Sequence, residues 1–319
     1  MKNSYLNIFS FNQKILNKTI NYLKNSDVVA IPTETVYGLG GNAYSQISIK
    51  KIYKIKDRPK SNPLIIHYYD FNDAIKDVLI NENFIDLYKK FCPGPITFIL
   101  KKKANSKIQN LASSKLNTIA VRFPKHDIIR SILKKLNFPL AMPSANKTTN
   151  LSPVTAKDVF EEFKKRIPLI IDGGKSKVGI ESTVVDLSDV PKILRPGIIS
   201  QSSIEKILKI KFKKNNKIKI LRSPGMMKKH YSPGIPVLIN QKKYDGKSAF
   251  IYLGRKYKNK KNFFCLSKNF NLDEAASNLY KTLRLVKKKG YKKIQICKIP
   301  NFGSGIAIND RIKRASKNK

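Results

Sequence analysis

Apolar residues recur in short runs through the first two thirds of the chain, and the runs end at proline, glycine or polar residues. Runs of this length are typical of strands buried in a sheet. They predict strands at residues 27–33, 63–69, 96–102, 118–124, 139–143, 169–173, 182–188 and 192–196. Helical periodicity between several of them predicts helices at residues 12–25, 47–55, 71–79, 84–91, 128–136 and 156–165. This irregular order favours an α/β domain with a twisted, mixed sheet of about 200 residues.

The pattern changes after residue 200. A basic helix is predicted at residues 201–212, and the Lys-, Asn-, Pro- and Gly-rich stretch that follows is typical of a linker. Strands are then predicted at 236–240, 248–254, 263–267 and 293–299, with helices at 272–288 and near 309–315. This alternation favours a small α/β/α, Rossmann-like domain. We predict a mixed-sheet domain at 10–205, a linker at 206–235 and a second domain at 236–319, with RIKRASKNK as a frayed basic tail.

Composition excludes several classes of protein. No apolar run is long enough to span a membrane, and the N-terminus lacks the apolar core of a secretory signal, so a cytoplasmic protein is expected. The three cysteines form no CxxC pair, and the three histidines form no metal-binding pattern. We therefore predict no metal ligands in the protein.

The net charge of +43 has two interpretations. A polyanionic partner such as RNA would explain it, because Lys and Arg displace counterions from phosphates. Compositional bias would also explain it, because the excess Lys is spread along the whole chain together with Asn and Ile. The even spread favours compositional bias.

Two short segments combine cations with small polar groups. Lys56 and Arg58 stand at the predicted exit of a helix, just before Pro59, where both could converge on one anion. Ser144 and Asn146 follow a predicted strand, a position typical of sites in open α/β sheets. The alternative for the cations is a solvated helix end, which is common in a chain so rich in lysine.

A further cation lies inside a strand. Arg122 interrupts the apolar run TIAVRFP and needs an anionic partner. A substrate carboxylate and a structural carboxylate explain it equally well. Ser182 opens another strand, and Arg195 ends one before Pro196.

Glycine-rich segments give weaker signals. Residues 32–41, PTETVYGLGG, could approach a ligand closely, but by themselves they favour an ordinary strand-to-loop turn. GGKS at 173–176 lacks the first glycine of a P-loop, and no GxGxxG is present. Dinucleotide binding therefore has no support.

Eight motifs in order resemble the YrdC-like domain: PTETVYGLG, KxRP with NPLIIH, PGPITFIL, AVRFP, PSAN, SPVTA, GIESTVVD and ILRPG. HYSPG and the segments AASNLYKTLR and GIAINDRIKRA resemble the long, two-domain form of the L-threonylcarbamoyladenylate synthase family. The resemblance covers residues 10 to 316. It departs from the family pattern at Asp57 and Thr149, where glycine is common, so the loop after Asn146 is expected to be stiffer.

The resemblance implies an enzyme that makes threonylcarbamoyl-AMP and pyrophosphate from L-threonine, bicarbonate or CO2, and ATP accompanied by Mg2+. The product would pass to a tRNA threonylcarbamoyl-transfer complex, with transient tRNA contact. The implied catalytic residues around the phosphates are Lys56, Arg58, Ser144 and Asn146. Further nucleotide-binding positions are Asn62, Thr118, Ser152, Arg195 and Tyr231. The positions implied around L-threonine are Thr35, His67, Arg122, Met142 (through its backbone) and Ser182.

The resemblance also implies that the linker acts as a lid, with Tyr231 closing over the nucleotide. Two alternatives remain. One is a non-catalytic RNA-binding accessory protein, suggested by the charge. The other is carbamoyl transfer, which is disfavoured because the chain lacks the zinc-finger cysteines of proteins with that activity.

Overall fold

The structure, a computed structural model, describes residues 7–212, 230–255 and 261–317. Within them, ten strands form one sheet and four strands form a second, smaller sheet. The predicted α/β class, with a large mixed sheet followed by a small second sheet, is therefore confirmed.

The first sheet has the strand order β1-β8-β2-β3-β7-β4-β6-β5-β9-β10 and contains both parallel and antiparallel pairs. Its strands are β1 (Ile8–Ser10), β2 (Val29–Ile31), β3 (Gly38–Asn42), β4 (Ile65–His67), β5 (Ile96–Lys101), β6 (Thr118–Arg122), β7 (Leu140–Ala141), β8 (Ile170–Asp172), β9 (Thr183–Asp186) and β10 (Lys192–Arg195). The helices of this part are α1 (Gln13–Lys24), α2 (Gln46–Lys56), α3 (Phe71–Ala74), α4 (Glu82–Phe91), α5 (Asp127–Lys135), α6 (Ala156–Phe163) and α7 (Gln201–Leu208).

Side chains along the central strands alternate between two faces of this sheet. On β5 and β6, Phe98 and Val121 belong to the main core, whereas Ile99 and Ala120 belong to a small cluster on the opposite face. Arg122 follows Ala120 by two residues and so shares its face. The pleat therefore directs this buried cation away from the main core.

Residues 32–41, expected to be an ordinary turn, contain β3 instead. Its sequence GLGGN has no alternation of apolar and polar residues, so the periodicity predicts no strand there. The glycines serve close packing: a Cβ atom at Gly38 would lie 2.5 Å from Cγ of Met142. The strand is therefore specified by its neighbours in the sheet.

The second sheet is entirely parallel, in the order β11-β14-β12-β13. Its strands are β11 (Val237–Leu238), β12 (Ala249–Tyr252), β13 (Phe263–Cys265) and β14 (Ile294–Ile296), and its helices are α8 (Leu272–Lys288) and α9 (Ser304–Ala315). The expected frayed tail is wrong up to residue 315, because α9 continues through it and buries Arg311. In the described ranges of the chain, no helix combines the length and apolar character needed to cross a bilayer.

The two sheets are joined through a shared apolar core. Val36, Leu151 and Ile180 from the first part pack in the same cluster as Tyr231 and Leu279. Most of the predicted linker, residues 213–229, lies outside the described residues. The segment 230–235 that follows is described, and Tyr231 is part of the shared core.

Candidate active site

A cavity with about 500 Å³ of empty space, including its open mouth, lies between the first sheet and segment 230–231. Seven of the residues predicted for the site line it: Arg58, His67, Arg122, Met142, Ser144, Arg195 and Tyr231. The other lining residues are Thr33, Val36, Tyr37, Gly38, Ile65, Pro143, Glu181 and His230. Residues from distant segments are therefore brought to one place, with three guanidinium groups among them.

Lys56 is the last residue of α2, and Asp57 ends the helix in a left-handed conformation with φ of 50°. The ammonium group of Lys56 donates to the carbonyl oxygens of Ser144, at 2.5 Å, and Asn146. Lys56 is only 1% exposed. Burial, followed by the charge of Arg58, lowers its pKa well below the usual value. Lys56 thus supports the 144–146 segment from below the cavity surface.

Arg58 is held by the loop that follows it. Its Nε donates to the carbonyl oxygen of Asn62 at 2.9 Å, and its Nη2 donates to Asn62 Oδ1 at 2.6 Å and to the Pro63 carbonyl at 2.8 Å. Burial lowers the pKa of Arg58 to about 10, which leaves the side chain cationic at neutral pH. Because both Lys56 and Arg58 are buried, they are not a solvated helix end.

Arg122 has a structural carboxylate partner and also an unused donor. Its Nη2 donates to Glu34 Oε1 at 2.9 Å and to Thr35 Oγ1 at 2.7 Å. Across the described ranges of the chain, neither Arg122 Nε nor Glu34 Oε2 has a hydrogen-bond partner, although both are buried. A buried donor without a partner is costly, so this edge of Arg122 is suited to an anionic ligand.

His67 stands beside Arg122 in the register of β4 and β6. Burial, followed by the charge of Arg122, lowers the pKa of His67 well below its usual value. Its imidazole is therefore neutral at physiological pH. Met142 also lines the cavity, and its side chain packs over Gly38.

Arg195 and Ser182 form a second anchored pair. Arg195 Nε donates to the Ser182 carbonyl at 3.0 Å, and its Nη2 donates to Ser182 Oγ at 3.1 Å. The Ser182 hydroxyl also lies 2.7 Å from Thr97 Oγ1. Ser182, like Thr35, therefore orients a cavity arginine and does not itself line the cavity surface.

The remaining predicted residues lie behind the cavity or away from it. Asn146 donates through Nδ2 to the carbonyl oxygens of Lys147 and Asn150. Ser152 donates to Glu181 Oε1 at 2.5 Å. Thr118 shares the face of Arg122 but begins β6, so it lies about 13 Å away at the rise of a β-strand.

Segment 230–231 covers the cavity with two buried aromatic side chains. Tyr231 has a φ of 59°, an unusual value for a non-glycine residue. Its backbone N–H donates to Nδ1 of His230 at 2.9 Å. Burial lowers the pKa of His230 to about 3. The negative charge of Glu181 opposes this shift, whereas the positive charges of Arg58 and Lys56 add to it.

The wall of the cavity also contains a buried charge cluster that the local sequence does not predict. Glu181 accepts hydrogen bonds from Ser152, from the Tyr280 hydroxyl at 3.0 Å and from Arg311 Nε at 2.8 Å. Burial alone would raise the pKa of Glu181, but Arg311 and then Arg195 lower it to about 2. Glu181 lies in the motif GIESTVVD, but its partner is 130 residues away, so the pairing has no local signal.

Comparison with known proteins agrees with this architecture. A family model described as "Telomere recombination" matches residues 21–197, and one described as "Threonylcarbamoyl-AMP synthase, C-terminal domain" matches residues 199–317. A threonylcarbamoyl-AMP synthase of Pyrococcus abyssi is 34% identical, covering 92% of this chain and 92% of its own length. The Bacillus subtilis threonylcarbamoyl-AMP synthase is 33% identical over 92% of this chain and 90% of its own.

A solved structure is similar over both sheets. The crystal structure of P. abyssi Sua5 complexed with L-threonine aligns with a TM-score of 0.88 and 31% identity, covering 97% of each chain. The fold and the arginine-lined cavity thus define a two-domain, nucleotide-using transferase with a YrdC-type first domain. The chain belongs to the threonylcarbamoyl-AMP synthase family.

Proposed function

We propose that this chain condenses L-threonine, bicarbonate or CO2, and ATP into threonylcarbamoyl-AMP, releasing pyrophosphate. One observation carries the proposal most directly. A single covered cavity holds Arg122, with its unpartnered Nε, together with Arg58 and Arg195. It therefore presents separate cationic groups to a carboxylate and to a polyphosphate.

Arg122 is proposed to hold the carboxylate of threonine. Its Nη2 is already fixed by Glu34 and Thr35, so the guanidinium keeps one orientation, and Nε is among the donors left for the substrate. Neutral His67 lies beside it and adds no second charge to that side of the cavity. Thr35 acts here by orienting Arg122.

Arg58 and Arg195 are proposed to bind the phosphates. Both are anchored by backbone carbonyls, so they offer positive charge at fixed positions and need not reorganise during the reaction. Lys56 supports them indirectly, because it fixes the backbone of Ser144 and Asn146. Ser144, like Arg58, lines the cavity.

The proposed reaction has two bond-forming steps. The amine of threonine adds to CO2 and loses a proton, giving a carbamate. A carbamate oxygen then attacks the α-phosphorus of ATP, and the bond from that phosphorus to the bridging oxygen breaks as pyrophosphate leaves. The arginines stabilise the negative charge that gathers on the phosphates, which is the principal contribution expected of a protein in such a transfer.

Mg2+ is proposed to arrive as part of the ATP substrate. In the described residues, no group of three or more His, Cys, Asp or Glu side chains could hold a metal ion. Mg2+ commonly takes phosphate oxygens and waters as ligands, with few from protein. Its chemistry would be to neutralise charge on the polyphosphate.

The cover formed by His230 and Tyr231 is proposed to protect the product. Threonylcarbamoyl-AMP contains a mixed anhydride that water hydrolyses, so the cavity must exclude water while the product is present. Both residues line the cavity and both are buried.

The test is pyrophosphate release by the purified protein with ATP and Mg2+, with threonine and bicarbonate each present or omitted. Release should require both, and release without threonine would contradict the proposal. Arg122→Gln should reduce turnover by about 100-fold or more, since substrate orientation is lost. Arg130→Gln is the matched control, because Arg130 instead stacks on Tyr69 at 4.4 Å.

The product is proposed to pass to a tRNA threonylcarbamoyl-transfer complex in the cytoplasm, with at most transient contact between this chain and tRNA. Addition of that complex and substrate tRNA should convert the released threonylcarbamoyl-AMP into modified adenosine. Product that accumulates unused in the complete mixture would count against this destination.

A further inference from the structure

Arg311 lies on α9, in the second domain, yet it contacts three segments that border the cavity. Its Nε donates to Glu181 Oε2 at 2.8 Å, and its Nη1 donates to the Pro196 carbonyl at 2.9 Å. Its guanidinium carbon lies 5.1 Å from the centre of the Tyr231 ring. Glu181 and Tyr231 line the cavity, and Pro196 directly follows the lining residue Arg195. One side chain thus joins three parts of the cavity wall.

The charges of this contact are fully buried and well paired. Arg311 is 1% exposed and also donates to Asp310 Oδ2 at 2.8 Å. Glu181 receives further hydrogen bonds from Ser152 and Tyr280. A buried ion pair adds little net stability compared with apolar packing, but removing one partner is expensive. Loss of Arg311 would therefore leave the charge of Glu181 buried without its counter-charge.

Tyr231 is fixed from several sides. Its ring stacks on Tyr280 at 5.8 Å with an interplanar angle of 25°, and the guanidinium of Arg311 provides a cation–π contact. The next residue, Ser232, donates its backbone N–H to the Thr149 carbonyl at 2.8 Å. Segment 230–234 is thus held by the second domain and by the loop after Asn146.

We propose that Arg311 is a positioning residue that holds segment 230–234 closed over the cavity by binding Glu181 and the ring of Tyr231 together. The second domain would then determine how tightly the cavity is shut. The claim that Arg311 fixes segment 230–234 can be tested on the protein without substrates. The catalytic consequence, retention of ATP and exclusion of water, rests on the function proposed above.

The experiment compares Arg311→Met with Lys288→Met. Lys288 also reaches across the domain interface, to Glu161 at 3.6 Å, but lies on the surface. Hydrogen–deuterium exchange of the full-length proteins should show exchange at residues 231–234 at least about tenfold faster in Arg311→Met, because local opening becomes easier. Exchange in α8 should stay unchanged, and Lys288→Met should match the parent protein in both regions.

Kinetics provide the second measurement. Arg311→Met should raise KM for ATP by about tenfold and increase pyrophosphate release relative to intact threonylcarbamoyl-AMP, because an open cavity admits water. A purely structural role would lower the melting temperature without changing this product ratio. Arg311→Lys keeps the charge but not the planar fork, so it should fold and show smaller shifts of the same sign.

Unchanged exchange at residues 231–234 in Arg311→Met would overturn the proposal. So would equal acceleration throughout the second domain, since that would indicate general loss of docking. If Arg311→Met does not fold, the same criteria apply to Arg311→Lys. Failure of the proposed function is distinguishable, because the parent protein would then lack threonine-dependent pyrophosphate release whatever the exchange data show.

Discussion

At the scale of single residues, Lys56 serves a different purpose from the one its sequence position first indicates. A lysine beside an arginine at a helix exit predicts two cations that converge on an anion. In the folded protein Arg58 lines the cavity, whereas Lys56 bonds to the carbonyls of Ser144 and Asn146. Its role as a catalytic residue stays a prediction, and its visible role is to shape the segment that carries Ser144.

Replacing Lys56 should therefore affect both stability and activity. Lys56→Met leaves the buried carbonyl of Asn146 without its donor, whereas the Ser144 carbonyl keeps the backbone N–H of Asn146, so the free energy of unfolding should fall by about 1–3 kcal/mol. Turnover should also fall, by about 100-fold, because the segment that carries Ser144 moves. Lys54→Met, at an exposed position of the same helix, is the control. Normal turnover in Lys56→Met would contradict this account.

The buried histidines predict a pH dependence of stability. The pKa of His230 is about 3 in the folded protein, below that of an exposed histidine, and His67 is shifted in the same direction. At a pH between the folded and the unfolded pKa of such a histidine, the unfolded chain binds more protons than the folded one. Stability therefore falls as the pH decreases from about 6.5. One such histidine contributes a slope of up to about 1.4 kcal/mol per pH unit.

His230→Gln should reduce this slope. Urea unfolding at pH 7.5, 6.5, 5.5 and 5.0 measures the slope. All four pH values lie above the range in which Glu181, with its pKa of about 2, loses its charge. The variant should lose less stability than the parent between pH 6.5 and 5.0. Parallel curves for the two proteins would show that His230 is not buried in its neutral form.

At the scale of elements, the loop before β9 approaches α8 backbone to backbone. A Cβ atom at Gly179, where φ is 74°, would lie 2.6 Å from the Cα of Ser277 in α8. Only glycine allows this approach, so Gly179 sets how closely the second domain docks. Two other positions of left-handed backbone, Asp57 and Thr149, carry side chains.

Gly179→Ala should push the Gly179 loop and α8 apart. Alanine at this position suffers both the steric clash and the cost of a left-handed backbone. Gly179→Ala should therefore reduce the free energy of unfolding by about 1–3 kcal/mol more than the same substitution at a glycine without close neighbours. Gly174→Ala is the matched control, because Gly174 has the same φ of 74° and no atom within 4 Å of an added Cβ. Thermal unfolding of both variants measures the difference, and equal losses would rule out the close approach.

At the scale of the whole molecule, the second domain completes the first. It covers Val36, Leu151 and Ile180 in the shared apolar cluster, and it provides Arg311 as the counter-charge of Glu181. The net charge of +43 does not account for this contact, which depends on a few buried groups.

A chain ending at residue 212 should therefore be less stable and inactive. Val36, Leu151 and Ile180 would lose the apolar side chains that cover them, Glu181 would lose Arg311, and segment 230–234 would be missing from the cavity. Activity close to that of the full chain would show that the first domain forms the site alone.

Much of the fold and part of the site follow from local sequence. Apolar runs predict most strands of both sheets, because burial of a strand needs only a short continuous apolar segment. The glycine-rich strand β3 is not predicted in this way, because its residues show no apolar periodicity. Its neighbours in the sheet define it instead. The ordered motifs point to Arg58, Arg122, Ser144 and Arg195, which the cavity does bring together.

The sequence by itself thus determined the fold class, the family and the set of cations at strand and helix ends. Only the tertiary structure decided that Lys56 binds backbone carbonyls, that Arg122 already has Glu34, and that Glu181 is paired with Arg311. The reason is that a buried charge is fixed by whichever partner the folded chain places beside it. Such partners lie up to 130 residues apart here, beyond the reach of any periodicity or local motif.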